Sequence, residues 1–254
     1  MPYLVHTAHA QFVGLWVGVI GWILTIVAIG LVQWRIWDVS DVSIINSGQA
    51  WVGIWRMCFY THSLVMSEYE IMYCQKIRIS DAFVPNEIAV AQPMMLLAII
   101  LGLFGNSSAI YGLRNIYFSL DEQKPIRLAF SISGGLLILA GVSSFIPLFW
   151  NLHSVVTNQT INFPTNFYMP PAPVEQYIGP GIALGIFASI LVVVSGAAFL
   201  SYKFPEGLRT KVQPSSLEEA HTGLGEIGMM SLKSTPMGSS LTVDYGVDNP
   251  AFQT

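Results

Sequence analysis

The sequence predicts a membrane protein of the all-α class, a four-helix transmembrane bundle carrying a small extracellular antiparallel β-sheet. Three observations predict it. Residues 12–32, 94–113, 128–150 and 178–200 hold no Asp, Glu, Lys or Arg, and about 20 such residues cross a bilayer as a helix. Only 10% of the 254 residues are charged, against about a quarter in a soluble domain. The two cysteines, Cys58 and Cys74, fall in one long polar segment between the first two apolar runs.

The elements follow in chain order. Residues 1–11 form a short N-terminus with no Lys or Arg. Residues 12–32 are the first span; a signal peptide would have a shorter apolar core behind positive charge. Gly14, Gly18 and Gly21 offer a close-packing face to another helix. Residues 33–93 form the first loop. There, β-branched Val39, Val42, Ile44 and Ile45 lie among polar residues and read as short strands. Tyr69, Ile71, Tyr73, Ile77 and Ile79 alternate with polar residues around Cys74 and read as a half-buried strand. Asp81 to Ala91 reads as a helix entry, and Pro93 stands at the start of the second span, 94–113, where its missing N–H costs little.

A hydrophilic loop, 114–127, precedes the third span, 128–150, in which Pro147 is expected to bend or end the helix. Residues 151–177 form the second polar loop. The fourth span, 178–200, repeats small residues at Gly181, Gly185 and Ser189. The tail, 201–254, is polar, rich in Gly, Ser and Pro, and is expected to be disordered.

Basic residues set the orientation. Arg114, Lys124 and Arg127 flank the middle of the chain, Lys203, Arg209 and Lys211 open the tail, and 151–177 has none. The positive-inside rule then puts both termini and 114–127 in the cytoplasm. Both cysteines face outward, into an oxidising space. A Cys58–Cys74 disulfide is expected there, closing a separation of 16 residues. Trp34 and Trp37 at the end of a span read as headgroup-zone anchors. Trp55, beside a cysteine in mid-loop, reads as packing under the sheet or at the lipid surface. Asn158-Gln159-Thr160 is a usable glycosylation sequon, whereas Asn106-Ser107-Ser108 lies inside a span. Phe167 and Tyr168 form an exposed aromatic pair in a Pro-rich loop, either a lipid-dipping turn or a contact with another molecule.

Several function classes are excluded. The net charge of −4 provides no basic surface for nucleic acid. No nucleophile–base pair, phosphate-binding Gly loop or metal-ligand cluster is present, so no enzyme, cofactor or metal site is expected. No span carries a charge, which disfavours a proton or ion path through the bundle. Adhesion, a pore built outside the bundle, or an auxiliary subunit remain.

These residues resemble the claudin family of tight-junction proteins. The family's first-loop pattern of Trp, Gly-Leu-Trp, Cys and Cys is similar to Trp34, Gly53-Ile54-Trp55, Cys58 and Cys74, with Ile54 as the one departure and Arg35 also matching. The second-loop Asn166-Phe167-Tyr168-Met169-Pro170 is similar to an aromatic-Asn-Pro segment of the family. The resemblance implies a left-handed bundle and a five-stranded sheet, four strands from the first loop and one from the second. It further implies assembly with itself and other claudin-like proteins in cis and in trans, forming a paracellular barrier or an ion pore at the plasma membrane. This chain departs from the family in its wider cysteine spacing and in Gln92, where the family tends to carry Arg. It also lacks a third cysteine for palmitoylation, and its terminus is Phe252-Gln253-Thr254, where Thr254 fits a PDZ groove poorly. The first-loop pattern is shared with calcium-channel γ-type and peripheral-myelin-type proteins. A regulatory auxiliary subunit is therefore the alternative.

Overall fold

The computed structural model describes residues 9–40, 45, 47–62, 70–118 and 123–202. The expectations for Val42, Ile44, Tyr69, the residues before His9 and the tail from Lys203, including its terminus, lie outside the described residues.

Among the described residues, four helices are long and apolar enough to cross a membrane. They are α1 (His9–Gly30), α2 (Asn86–Tyr117), α3 (Gln123–Val156) and α4 (Pro180–Leu200). Two of them run well past their uncharged cores. α2 has 32 residues and α3 has 34, so at 1.5 Å per residue each is roughly 50 Å long, beyond a hydrocarbon core of about 30 Å. The apolar run marks only the lipid-facing part, because intrahelical hydrogen bonding continues into polar sequence. Pro93 therefore lies inside α2 rather than at its start, and Pro147 lies inside α3 without ending it. Each proline deprives one carbonyl of its helical donor. At the other border the apolar run overshoots: Ile178 belongs to a strand, and α4 begins at Pro180.

α1 packs on α4 and α2, and α3 packs on α2 and α4. The small residues set the distance. A Cβ on Gly18 would stand 2.4 Å from Ser195 Oγ and one on Gly21 2.9 Å from Leu191 Cβ, so α1 approaches α4 as only glycine permits. Hydrogen bonds join each neighbouring pair. Ser195 Oγ donates to Gly14 O at 2.7 Å, Trp22 Nε1 to Ile99 O at 2.9 Å, and Ser143 Oγ to Met94 O at 3.0 Å. Ser144 and Ser189 share a hydrogen bond of 2.7 Å. Lipid offers these groups no partner, so they satisfy one another between helices.

The sheet is antiparallel, with strand order β4-β3-β2-β1-β5. Its strands are β1 (Arg35–Asp38), β2 (Gln49–Val52), β3 (Arg56–His62), β4 (Glu70–Lys76) and β5 (Glu175–Ile178). Four come from the first loop and the fifth from the second. The registers place Trp37, Ala50, Phe59 and Tyr73 in one row, and Arg35, Val52, Met57 and Gln75 in the next. Both rows face the core, which continues into Ile29, Met95, Leu148 and Ile182 of the helices. The half-buried strand expected around Cys74 is β4, but its alternation breaks at the ends, with Ile71 and Ile79 both exposed.

Candidate functional site: the sheet and its seat on the helices

The first-loop motif is the joint between sheet and bundle. Trp34 is buried at 1% exposure and donates from Nε1 to Ala28 O, 2.8 Å away in the last turns of α1. Trp37 is wholly buried, with Nε1 donating to Gln176 Oε1 at 3.1 Å and its ring meeting Phe163 edge-on at 5.4 Å. Neither is a headgroup anchor, contrary to the expectation. The chain turns from α1 into β1, which seats Trp34 against the end of α1 and Gly181 at the start of α4, and Trp37 against Gln176 of β5.

Gly53-Ile54-Trp55 forms the turn between β2 and β3, closed by the Gly53 N–H donating to Arg56 O at 3.0 Å. A Cβ on Gly53 would meet Val32 Cα at 2.9 Å and Val32 O at 3.1 Å, so only glycine lets this turn rest against the exit of α1. Ile54 points into the core at 1% exposure. The branched Ile in place of Leu is accommodated as a plug. Trp55 is not under the sheet; it stands on the outside at 36% exposure.

Gln92 explains how the turn is held. Its Nε2 donates to Ile54 O at 2.6 Å and to Ile77 O at 3.2 Å, from a buried position on α2. One amide thus ties the β2–β3 turn and the exit of β4 to the bundle. Gln92→Leu is expected to leave Ile54 O without this donor and to cost about 1–3 kcal/mol, read as a lower unfolding midpoint in detergent. An unchanged midpoint would show that the tie is dispensable.

Sequence reasoning missed the polar cluster beneath the sheet. Arg35 is 1% exposed, and its Nη2 lies 3.0 Å from Glu87 Oε1 at the start of α2. The same nitrogen donates to Asn151 Oδ1 at 2.7 Å, and Nη1 donates to Ser154 Oγ at 3.1 Å. Ser154 Oγ donates to Glu87 Oε1 at 2.7 Å, and Asn151 Nδ2 donates to Glu87 O and Pro147 O, each at 2.9 Å. One guanidinium therefore clamps β1, α2 and α3 together. Burial pulls the Arg35 pKa below its ordinary value and Glu87 offsets part of that effect; arginine stays protonated in such sites. The legible signal was a charge near each of two spans, Arg35 three residues after the first and Glu87 seven residues before the second, with Asn151 directly after the third.

Cys58 and Cys74 sit directly opposite each other on β3 and β4 and are joined as a disulfide, with Cα atoms 4.2 Å apart. Trp51 is the next residue in that row, on the face away from the core, and its ring meets Tyr60 edge-on at 5.4 Å.

The second loop divides the expected aromatic pair. Phe167 is buried against Phe83 and Phe163, at ring distances of 5.0 and 5.5 Å. Its exposure was an incorrect expectation: the short helical turn Thr165–Phe167 rolls the ring inward. Tyr168 is 54% exposed at φ 55°, a left-handed conformation uncommon for an aromatic residue. Asn158 is also exposed and left-handed, at φ 52°. Asn106 is buried within α2.

A helical bundle with four membrane-spanning candidates and a disulfide-pinned sheet drawn from both loops defines a class of four-span membrane proteins. A family model described as PMP-22/EMP/MP20/Claudin tight junction matches residues 19–201. Claudin-2 of Canis lupus familiaris is 30% identical over 188 residues, 73% of this chain and 75% of that protein. Claudin-2 of Mus musculus is 29% identical over 202 residues, 79% of this chain and 81% of the relative. Claudin-3 of Rattus norvegicus is 27% identical over 189 residues, covering 74% and 79%. The chain belongs to the claudin family. That is a family of structural junction proteins, and the chain is not an enzyme.

Proposed function

We propose that this protein mediates cell–cell adhesion at tight junctions and builds a paracellular barrier or ion pore by assembling with itself and other claudins. Membership of the family supports the tight-junction role in general. The observation that carries the finer reading is the sheet, tied to two helices through Arg35 and covalently closed at Cys58–Cys74. A junction protein needs such a platform, held at fixed height above its membrane, to meet another cell. In this reading the sheet is extracellular and both termini are cytoplasmic.

Assembly in cis is supported by the two strands at the sheet's margins, β4 and β5, each paired on one side only within the described residues. Val174, Tyr177 and Ile178 are exposed along the β5 margin, and such edges accept neighbours. For the trans contact the proposal keeps Tyr168, whose ring is presented on a constrained backbone, and leaves Phe167 a packing role. The exposure of Asn158 supports glycan attachment there.

Expression in fibroblasts lacking junction strands tests the reading. The wild-type chain is expected to concentrate where two expressing cells touch, and Tyr168→Ala to reduce that enrichment at equal surface level. Even distribution of the wild type over the surface would sink the adhesion reading, and co-purification with a channel from those cells would favour the auxiliary-subunit role.

A further inference from the structure

A groove of about 590 Å³ opens on the outside of the molecule at the level where α1 ends, between Gly30, Trp55, Arg56, Lys76, Arg78 and Ile79. Its charges are one-sided. The lining holds three cations and no carboxylate. Arg56 and Lys76 stand directly opposite each other on β3 and β4, so their side chains share one face. Like charges in that position destabilise a sheet. Among the described residues the only ion pair is Arg35–Glu87, which leaves all three cations without one. Asp81 accepts a hydrogen bond from the Arg78 backbone N–H at 2.9 Å and lines, with Lys76 and Arg78, an adjoining cleft rather than this groove.

The remaining wall is apolar. Trp55 and Ile79 are 36% and 56% exposed. Just along the helices, Ile26 and Val27 of α1 and Leu96 and Leu97 of α2 are exposed in turn, on the spans themselves. An apolar surface thus continues from the groove into the hydrocarbon zone, with a cluster of positive charge at its polar end. A small soluble anion would use the cations and leave the apolar wall wet. An amphiphile with a phosphate head uses both.

We propose that this groove binds a phospholipid of the leaflet on the sheet side. Its phosphate sits among Arg56, Lys76 and Arg78, and its glycerol and first acyl carbons lie against Trp55 and Ile79. Basic pockets at the ends of membrane helices bind lipid head groups in this way, and arginine pairs with phosphate oxygens through two parallel N–H donors. The bound phosphate offsets the Arg56–Lys76 repulsion. The lipid would also lie beside the β2–β3 turn and the end of α1, helping to set how deep the sheet sits at the membrane.

The test uses the full chain in a nonionic detergent and native mass spectrometry. The probes are dioleoyl-phosphatidylglycerol, dioleoylglycerol with the same tails but no phosphate, and glycerol 3-phosphate with no tails. The wild type is expected to retain one phosphatidylglycerol, with dioleoylglycerol at least about tenfold weaker. Arg56→Gln/Lys76→Gln/Arg78→Gln is expected to lose about tenfold or more in phosphatidylglycerol retention, with the disulfide and elution volume unchanged. Arg56→Lys/Arg78→Lys is expected to keep most of it. Should the triple variant fail to fold, Arg78→Gln alone, outside both strands, is expected to lose about fivefold.

Equal retention of dioleoylglycerol, failure of the wild type to hold either lipid, or undiminished binding by a folded neutral variant would overturn the proposal. Displacement of the lipid by equimolar glycerol 3-phosphate would reduce the groove to a soluble-anion site. Charge removal that lowers self-association without changing lipid retention would make the occupant a second copy of the chain.

Discussion

Glu87→Leu is expected to be among the most damaging single substitutions in the chain, costing about 3–5 kcal/mol. Arg35 would be left buried with its charge unpaired, retaining only the neutral acceptors Asn151 Oδ1 and Ser154 Oγ. Its Nε already has no hydrogen-bond partner, so the site has no spare acceptor to offer. Desolvating a guanidinium is expensive enough that the clamp would open and the sheet would lift from α2 and α3. The pair itself need not be strongly stabilising. A buried ion pair replaced on both sides by apolar groups is often close to neutral. Arg35→Met/Glu87→Leu should therefore recover most of what Glu87→Leu loses, since Ser154 keeps Gln159 and Asn151 keeps its two carbonyl acceptors. Denaturant unfolding of the purified chain, read as a double-mutant cycle, measures the coupling. A double variant no more stable than Glu87→Leu would show that the clamp works through shape and not through charge compensation.

The second large effect is expected for Cys58→Ser. The bridge closes a separation of 16 residues, worth roughly 3 kcal/mol in the chain-entropy model. Cys58 is fully buried beside its cross-strand neighbour Trp51, so the serine hydroxyl would also enter a site built for sulfur. The β3–β4 hairpin should loosen, leave Cys74 as a free thiol and hold the protein back before the cell surface. Surface biotinylation reads the outcome. Cys58→Ala/Cys74→Ala separates loss of the bridge from a reactive lone thiol: a double variant that reaches the surface normally would put the damage on the thiol. Normal surface level and contact enrichment in Cys58→Ser would make the bridge dispensable.

These two predictions differ in how far the sequence exposed them. The disulfide was readable because only two cysteines exist and topology put both on one side of the membrane. Its position in the sheet, with Cys58 directly opposite Cys74 on paired strands, came from the structure. The ionic clamp was not readable in that way. Arg35 and Glu87 are 52 residues apart and Asn151 is a further 64, and each by itself reads as an ordinary polar residue beside a span. Only the packing of α2 on α3 and of β1 across their ends makes them neighbours.

The tryptophans and the second-loop aromatics teach the same distinction. Trp34 and Trp37 occupy places where an indole commonly sits among headgroups, and a local rule assigns them there. The fold overrides the rule by burying them: Trp34 lies against the end of α1 and the start of α4, and β5, which arrives from the other loop, supplies the partner for Trp37. Phe167 and Tyr168 are adjacent and alike in composition. One turn of backbone buries the first and exposes the second. Such a choice depends on Phe83 and Phe163 waiting in the core, from segments far apart in the chain.

The sequence by itself determined that this is a four-span membrane protein with a β-rich, disulfide-closed first loop, because uncharged runs and cysteine count act through local chemistry and solvent alone. It also determined the close-packing glycines of α1. The tertiary structure decided where the helices end, which aromatics are covered and which remain free. It decided that Gln92 and Arg35 carry the joint between sheet and bundle. Those outcomes are set by which segments meet, and a polar group's role inside a fold depends on the partners that burial leaves it.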